Sequence, residues 1–145
     1  MCDGEIIPIS LIPDEAFSQG ILGQGYGIKP KSDVFLSPAN GTVSVSDTKH
    51  AYTILTDEGA QILVHIGIDT VELNGEHFTP FVVTGERVKK GDKIACVRLD
   101  KIESCGYKTD TAVLVVNSDE FEIENMYFGF AKGGEASALS CRKIK

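Results

Sequence analysis

No apolar run in the 145 residues approaches the ~18 that cross a membrane as a helix. The opening residues lack the basic and apolar regions of a secretory leader, and the expected location is the cytoplasm. Basic residues are scarce, with 14 Lys and Arg against 21 Asp and Glu and a net charge of −7. Nucleic acid and anionic membranes both require basic patches, so neither is an expected partner. The acidic balance favours a partner with a basic surface. The four cysteines, Cys2, Cys96, Cys105 and Cys141, form no C-x-x-C pair. A chain of this size does not depend on bridges, so they read as reduced thiols, and no metal or cofactor is expected. Sustained 3.6-residue periodicity is missing too. Fifteen glycines and many β-branched residues point instead to one all-β domain with many turns.

Ile6, Ile7, Ile9 and Leu11 predict an opening strand whose Pro8 suits a sheet edge. A short helical turn is expected after Pro13. The glycines at 20, 23, 25 and 27 lack the G-x-G-x-x-G spacing of a dinucleotide loop and read as a flexible crossing. Strands are expected over 27–30 and 34–38, with Asn40-Gly41 as a hairpin signal before a strand over 42–46. Further strands are expected over 81–84 and 93–97, around a solvated basic loop. The run Ala112-Val113-Leu114-Val115-Val116 is the most hydrophobic and should be central. His77 reads as a solvated loop residue, and Gly133-Gly134 as a turn before a last strand.

The stretch over residues 48–75 carries the chemistry. Apolar residues flank Asp57-Glu58-Gly59-Ala60, a hairpin signal. A two-residue loop, or a four-residue one, pairs Tyr52 with His65 and His50 with Gly67, leaving the two histidines roughly 7 Å apart along a diagonal. A three-residue loop would turn them to opposite faces. Ile62, Val64, Ile66 and Ile68 form a core row, which places His65 on the other face with Leu63, Gly67 and Asp69. Gly67 would leave cleared space beside both rings.

Paired imidazoles can act as base, metal ligand or nucleophile. With Asp69 they could hold zinc. A base would need a Ser or Cys nucleophile that no motif supplies. For phosphoryl transfer, one imidazole attacks phosphorus while the other, neutral or charged, donates a hydrogen bond to a phosphoryl oxygen. The hydroxyl of Thr48 lies on the same strand face as His50. Such chemistry needs mainly positioning and charge stabilisation, which a small open site on a rigid sheet can provide.

The motif His65-Ile66-Gly67-Ile68-Asp69-Thr70-Val71, continuing to Leu73-Asn74-Gly75, follows Thr48-Lys49-His50-Ala51 with fifteen positions between the histidines. It closely resembles the glucose-type IIA proteins of the bacterial phosphoenolpyruvate-dependent sugar phosphotransferase system. Supporting stretches are Pro13-Asp14 with Phe17, Gly27-Ile28-Lys29-Pro30, Ser37-Pro38 with Asn40-Gly41-Thr42-Val43, and the weaker Val88-Lys89-Lys90-Gly91-Asp92. The likeness runs from about Ile7 to Asn117 and more loosely to the end.

The resemblance implies an antiparallel β-sandwich or flattened barrel with short helical turns, residues 1–145 forming a single IIA domain. It implies that His65 takes a phosphoryl group from the phosphocarrier protein HPr and passes it to a cysteine of a IIB domain. His50 then matches the second site histidine and Thr48 its supporting hydroxyl, while Asp14, Asp69, Phe17 and Gly67 are expected at the partner surface. The sequence departs from the family pattern at Asn40, Gln61, Arg98 and Ala112, where Asp, Glu, an acidic residue and Pro are usual, and at Ser46 and Thr53, which are polar. Two other classes compete: a lysostaphin-type zinc peptidase, whose H-x-H pair is missing because Leu63 and Gly67 flank His65 at that spacing, and a non-catalytic regulatory module.

Overall fold

A computed structural model describes residues 2–19, 22–124, 129–131 and 140–143. Its strands are β1 (Gly4–Pro8), β2 (Gln24–Pro30), β3 (Val34–Leu36), β4 (Gly41–Val45), β5 (Ala51–Thr56), β6 (Gln61–His65), β7 (Phe78–Pro80), β8 (Arg87–Val88), β9 (Lys93–Val97), β10 (Thr111–Val115), β11 (Phe121–Glu124), β12 (Gly129–Ala131) and β13 (Ser140–Lys143). Two short helices, α1 (Glu15–Ser18) and α2 (Leu99–Ser104), and three 3₁₀ turns complete it. An eight-stranded sheet runs β12-β1-β2-β10-β6-β5-β4-β8, beside a three-stranded sheet β3-β9-β7 and a two-stranded sheet β11-β13. All strand pairing is antiparallel among the described residues. No described helix is long and apolar enough to cross a membrane.

The apolar run at 111–115 becomes β10, whose five residues are all buried between β2 and β6. Its side chains alternate between two cores. Val113 and Val115 join the large core with Ile28, Phe35, Val43, Tyr52, Ile54, Val64 and Ile94. Ala112 and Leu114 face a smaller one with Ile7, Ile12, Phe17 and Ile68. The row Ile62, Val64 and Ile66 lies in the large core as expected, but Ile68 crosses to the small one. Between them Gly67 takes φ +82°, which ends the strand's alternation.

Several sequence expectations need correction. Pro8 does end its strand, but β1 is interior, with β12 bonded on its other side from Gly4 to Ile6; Ile9–Leu11 coils into a 3₁₀ turn. Gly25 and Gly27 are not in a flexible crossing but inside β2. A Cβ on Gly25 would collide with the Val113 carbonyl, and one on Gly27 with the Ile12 side chain, so glycine permits close approach there. Asn40-Gly41 joins two different sheets, because β3 pairs with β9 while β4 pairs with β5 and β8. Neither residue has the positive φ of a tight hairpin turn, and Asn40 Oδ1 accepts from the Lys90 N–H at 2.7 Å. The strand expected over 81–84 lies earlier, at β7. The expected Gly133-Gly134 turn lies outside the described residues, and the last strand is β13.

Gly25→Ala should cost roughly 1–3 kcal/mol through overpacking against the β10 backbone. Urea unfolding checks this; an unchanged midpoint would show that β2 can move aside freely.

Candidate functional site

The hairpin of β5 and β6 is closed by a three-residue loop, not by the two- or four-residue loop favoured by the sequence. Ala51 lies opposite His65 and Tyr52 opposite Val64, one residue out of the expected register. Gly59 is the cause: at φ +96° it supplies the left-handed residue that closes a three-residue loop, while Thr56 and Ala60 bond across it. The histidines meet nonetheless, with ring centroids 4.8 Å apart in an edge-to-face arrangement. His50 escapes the strand rule because it precedes β5, directly after Lys49 at φ 62°. Its carbonyl accepts from the Ile66 N–H at 2.8 Å, tying the loop to the end of β6.

Gly67 does not provide cleared space. It is buried, and the volume a Cβ would occupy is filled by the Thr70 methyl group and the Lys108 carbonyl. Room beside His65 comes instead from Ala51 and Ala112, its partners on the two flanking strands. With only a methyl on either side, the rings of Phe17 and His50 can lie against the imidazole. The sequence carried that signal as two alanines at strand positions, one of them where the family usually has Pro.

Phe17 is 4 % exposed and packs in the small core, its ring centroid 4.9 Å from that of His65. Phe17 and Gly67, both expected at the partner surface, are buried in the unbound chain. Asp14 is half-buried and caps α1, accepting from the Ala16 N–H at 3.0 Å. Asp69 is exposed in a left-handed conformation at φ 58°. Both carboxylates lie within electrostatic reach of His65.

The atoms that decide the chemistry are ring nitrogens. His65 Nδ1 lies 3.0 Å from the Gly67 carbonyl oxygen. A carbonyl only accepts, so Nδ1 carries the hydrogen and Nε2 keeps its lone pair. Burial holds the His65 pKa below its ordinary value, opposed by that hydrogen bond and by the charges of Asp14 and Asp69. His50 is 7 % exposed, and burial, then the neighbouring His65, bring its pKa down to about 4 against a backbone hydrogen bond at Thr48. Both imidazoles are thus neutral at pH 7. The Thr48 hydroxyl lies 2.6 Å from His50 Nδ1; when it donates there, Nε2 of His50 carries the hydrogen and points to a role as donor.

Residues 1–121 match the family model described as phosphoenolpyruvate-dependent sugar phosphotransferase system, EIIA 1. The chain belongs to this family. It is accordingly a phosphotransferase component, a phosphoryl-carrying IIA protein with a β-sandwich fold. It is similar to the glucose-specific EIIA component of Oceanobacillus iheyensis, 38 % identical over 94 % of this chain and 84 % of that one. It also resembles the solved glucose permease IIA of Mycoplasma capricolum, with a TM-score of 0.90 at 37 % identity over 95 % of this chain and 90 % of that one. The β-glucoside-specific EIIBCA component of Bacillus subtilis is 40 % identical over 81 % of this chain, and the chain spans 20 % of its length. In such relatives a IIA segment is fused to IIB and IIC.

His77, the third histidine, stands apart from this IIA site. Its Nε2 lies 3.9 Å from Cys105 Sγ and 3.8 Å from a Glu76 carboxylate oxygen. Among the described residues no group of three or more His, Cys, Asp and Glu is arranged to hold a metal ion, and the zinc peptidase reading is not favoured.

The lowered His65 pKa has a kinetic consequence. Nε2 of His65, the nitrogen that would act as nucleophile if this residue carries the phosphoryl group, stays unprotonated as the pH falls through 6.5, the value of an ordinary histidine. The acid limb of phosphoryl acceptance should therefore lie below pH 6.5. A single-turnover pH profile checks this, and a limb at or above 6.5 would contradict the burial argument.

Proposed function

We propose that residues 1–145 work as a single IIA domain in the cytoplasm, taking a phosphoryl group from phospho-HPr on Nε2 of His65 and passing it to a cysteine of a IIB domain. The observation that carries this reading is the His65 Nδ1–H bond to the Gly67 carbonyl, which leaves Nε2 as the free nucleophile. Nε2 attacks phosphorus, the new N–P bond forms, and the bond to the donor breaks with its electron pair leaving on the donor. In the second half-reaction a IIB thiolate attacks the same phosphorus, and the electron pair of the N–P bond returns to Nε2. The fusion of IIA with IIB in several relatives supports a IIB partner.

His50 donates from Nε2 to an oxygen of the phosphoryl group in transit, with Thr48 holding its other nitrogen. His50 is neutral in the unphosphorylated protein. Arrival of a phosphoryl dianion beside it favours the imidazolium, so His50 gains a proton only when there is charge to meet. Asp14 and Asp69 are the acidic groups that a basic surface on HPr or IIB would meet.

Incubation with phosphoenolpyruvate, the general phosphotransferase enzyme and HPr should add one acid-labile phosphate, and His65→Ala should abolish it. Undiminished labelling in that variant sinks the assignment. His50→Gln keeps a neutral N–H in place and should still accept phosphate at His65. Its onward transfer to IIB should slow roughly 10²- to 10³-fold, on the scale of losing one charge-stabilising contact, because Gln cannot take up a proton to meet the charge of the departing phosphoryl group. Rapid quench of both half-reactions checks this; donation at the parental rate would make His50 merely structural.

A further inference from the structure

Thr70 belongs to the histidine motif, yet neither the fold nor the phosphoryl step described so far uses its side chain. It is fully buried, with 0 % exposure. Its hydroxyl donates to the Ile66 carbonyl at 2.5 Å. Its methyl group fills the place where a Cβ of Gly67 would stand. One side chain therefore grips the two consecutive residues that follow His65, the first by a hydrogen bond and the second by packing.

Those two residues are bonded to both histidines, to the backbone of one and the ring of the other. The Ile66 N–H donates to the His50 carbonyl at 2.8 Å, and the Gly67 carbonyl accepts from His65 Nδ1 at 3.0 Å. Next along the chain, the Ile68 N–H donates to the Lys108 carbonyl at 3.0 Å, which fixes the far side of the turn. The direction of the Gly67 carbonyl is thus set by a loop with left-handed residues at Gly67 and Asp69, φ +82° and 58°. Gly67 adopts its conformation freely, whereas Asp69, which has a Cβ, keeps its own only when the surroundings over-determine it. The Thr70 side chain contacts both residues of that turn between His65 and Ile68.

We infer that Thr70 is a positioning residue for phosphoryl transfer, its hydroxyl on the Ile66 carbonyl holding the turn that aims the Gly67 carbonyl at His65 Nδ1 and so fixing the tautomer that leaves Nε2 free. Without the hydroxyl the buried Ile66 carbonyl loses its donor and the turn relaxes toward another arrangement. The Gly67 carbonyl then releases Nδ1, and the ring hydrogen redistributes between the two nitrogens. Residues that orient functional histidines typically change activity by about 10- to 100-fold when removed.

The test compares Thr70→Val, which keeps the shape and loses the hydroxyl, with Thr70→Ser, which keeps the hydroxyl. Long-range ¹H–¹⁵N spectra of the unphosphorylated protein report which nitrogen of His65 carries the hydrogen. Rapid quench with phospho-HPr reports acceptance. The parent and Thr70→Ser should hold the hydrogen on Nδ1 and accept phosphate at similar rates. Thr70→Val should show a mixed tautomer and accept about 10- to 100-fold more slowly. If Thr70→Val does not fold, as judged by circular dichroism, Thr70→Cys replaces it as a similarly sized side chain with a much weaker donor. Equal loss in the Ser variant, or slow acceptance with the His65 tautomer unchanged, overturns the inference, as does a parental rate and tautomer in Val. The inference rests on His65 being the phosphorylated residue. The tautomer, however, is read without any phosphoryl donor, so its failure and failure of that assignment remain distinguishable.

Discussion

The hydrogen bond from His65 Nδ1 to the Gly67 carbonyl is the contact on which the site depends. It is made between residues two apart, which a regular strand cannot do because its carbonyls point along the sheet to neighbouring strands. The chain has to leave β6 immediately after His65 and fold back on itself. Gly67 makes this possible with φ +82°, a conformation that costs a residue with a Cβ on the order of 1–3 kcal/mol. The surrounding frame is correspondingly stiff. β6 is clamped between β5 and β10, and β10 is buried on both faces. Phe17, delivered by the short helix α1, lies against the imidazole from the small core. A site of a few side chains is therefore supported by both cores.

Much of this was legible in the sequence. The period-2 aliphatic rows located β6 and β10, whereas the contact of His50 with His65 was expected from a register the hairpin does not have and arises because His50 precedes β5. The need for a carbonyl-held ring nitrogen follows from the chemistry alone. The register was not legible, because Gly59 takes a positive φ in either loop and the difference lies in Glu58, which a two-residue turn would also need at positive φ and which does not adopt it. Asn40-Gly41 misled for a related reason: its hairpin preference is overridden when the chain must change sheets. α2 went unseen because only Leu99 and Ile102 of its six residues are buried, too few turns for a periodicity to register. The glycines of β2 read as flexibility because nothing local shows that Val113 and Ile12 press against them.

The site also shows why the two histidines are not equivalent despite their contact. His65 is half-buried and keeps the charges of Asp14 and Asp69 in its field, whereas His50 is more enclosed and would meet His65 as a like-charged neighbour if both were protonated. In the proposed mechanism this difference in environment is what separates a nucleophile from a donor within one pair of identical side chains.

Asp14 and Asp69 have a further consequence for the energetics of the carrier. Any group that arrives on His65 with negative charge enters a half-buried place already under the influence of two carboxylates, on a chain whose net charge is −7. Burial that keeps the empty imidazole neutral also withholds the water that would solvate a phosphoryl dianion. In the proposed cycle the loaded protein would thus be held at a high transfer potential, and the features that make His65 ready to receive would also make it a poor resting place. For a relay component that is an advantage, because a group bound too comfortably would stop there.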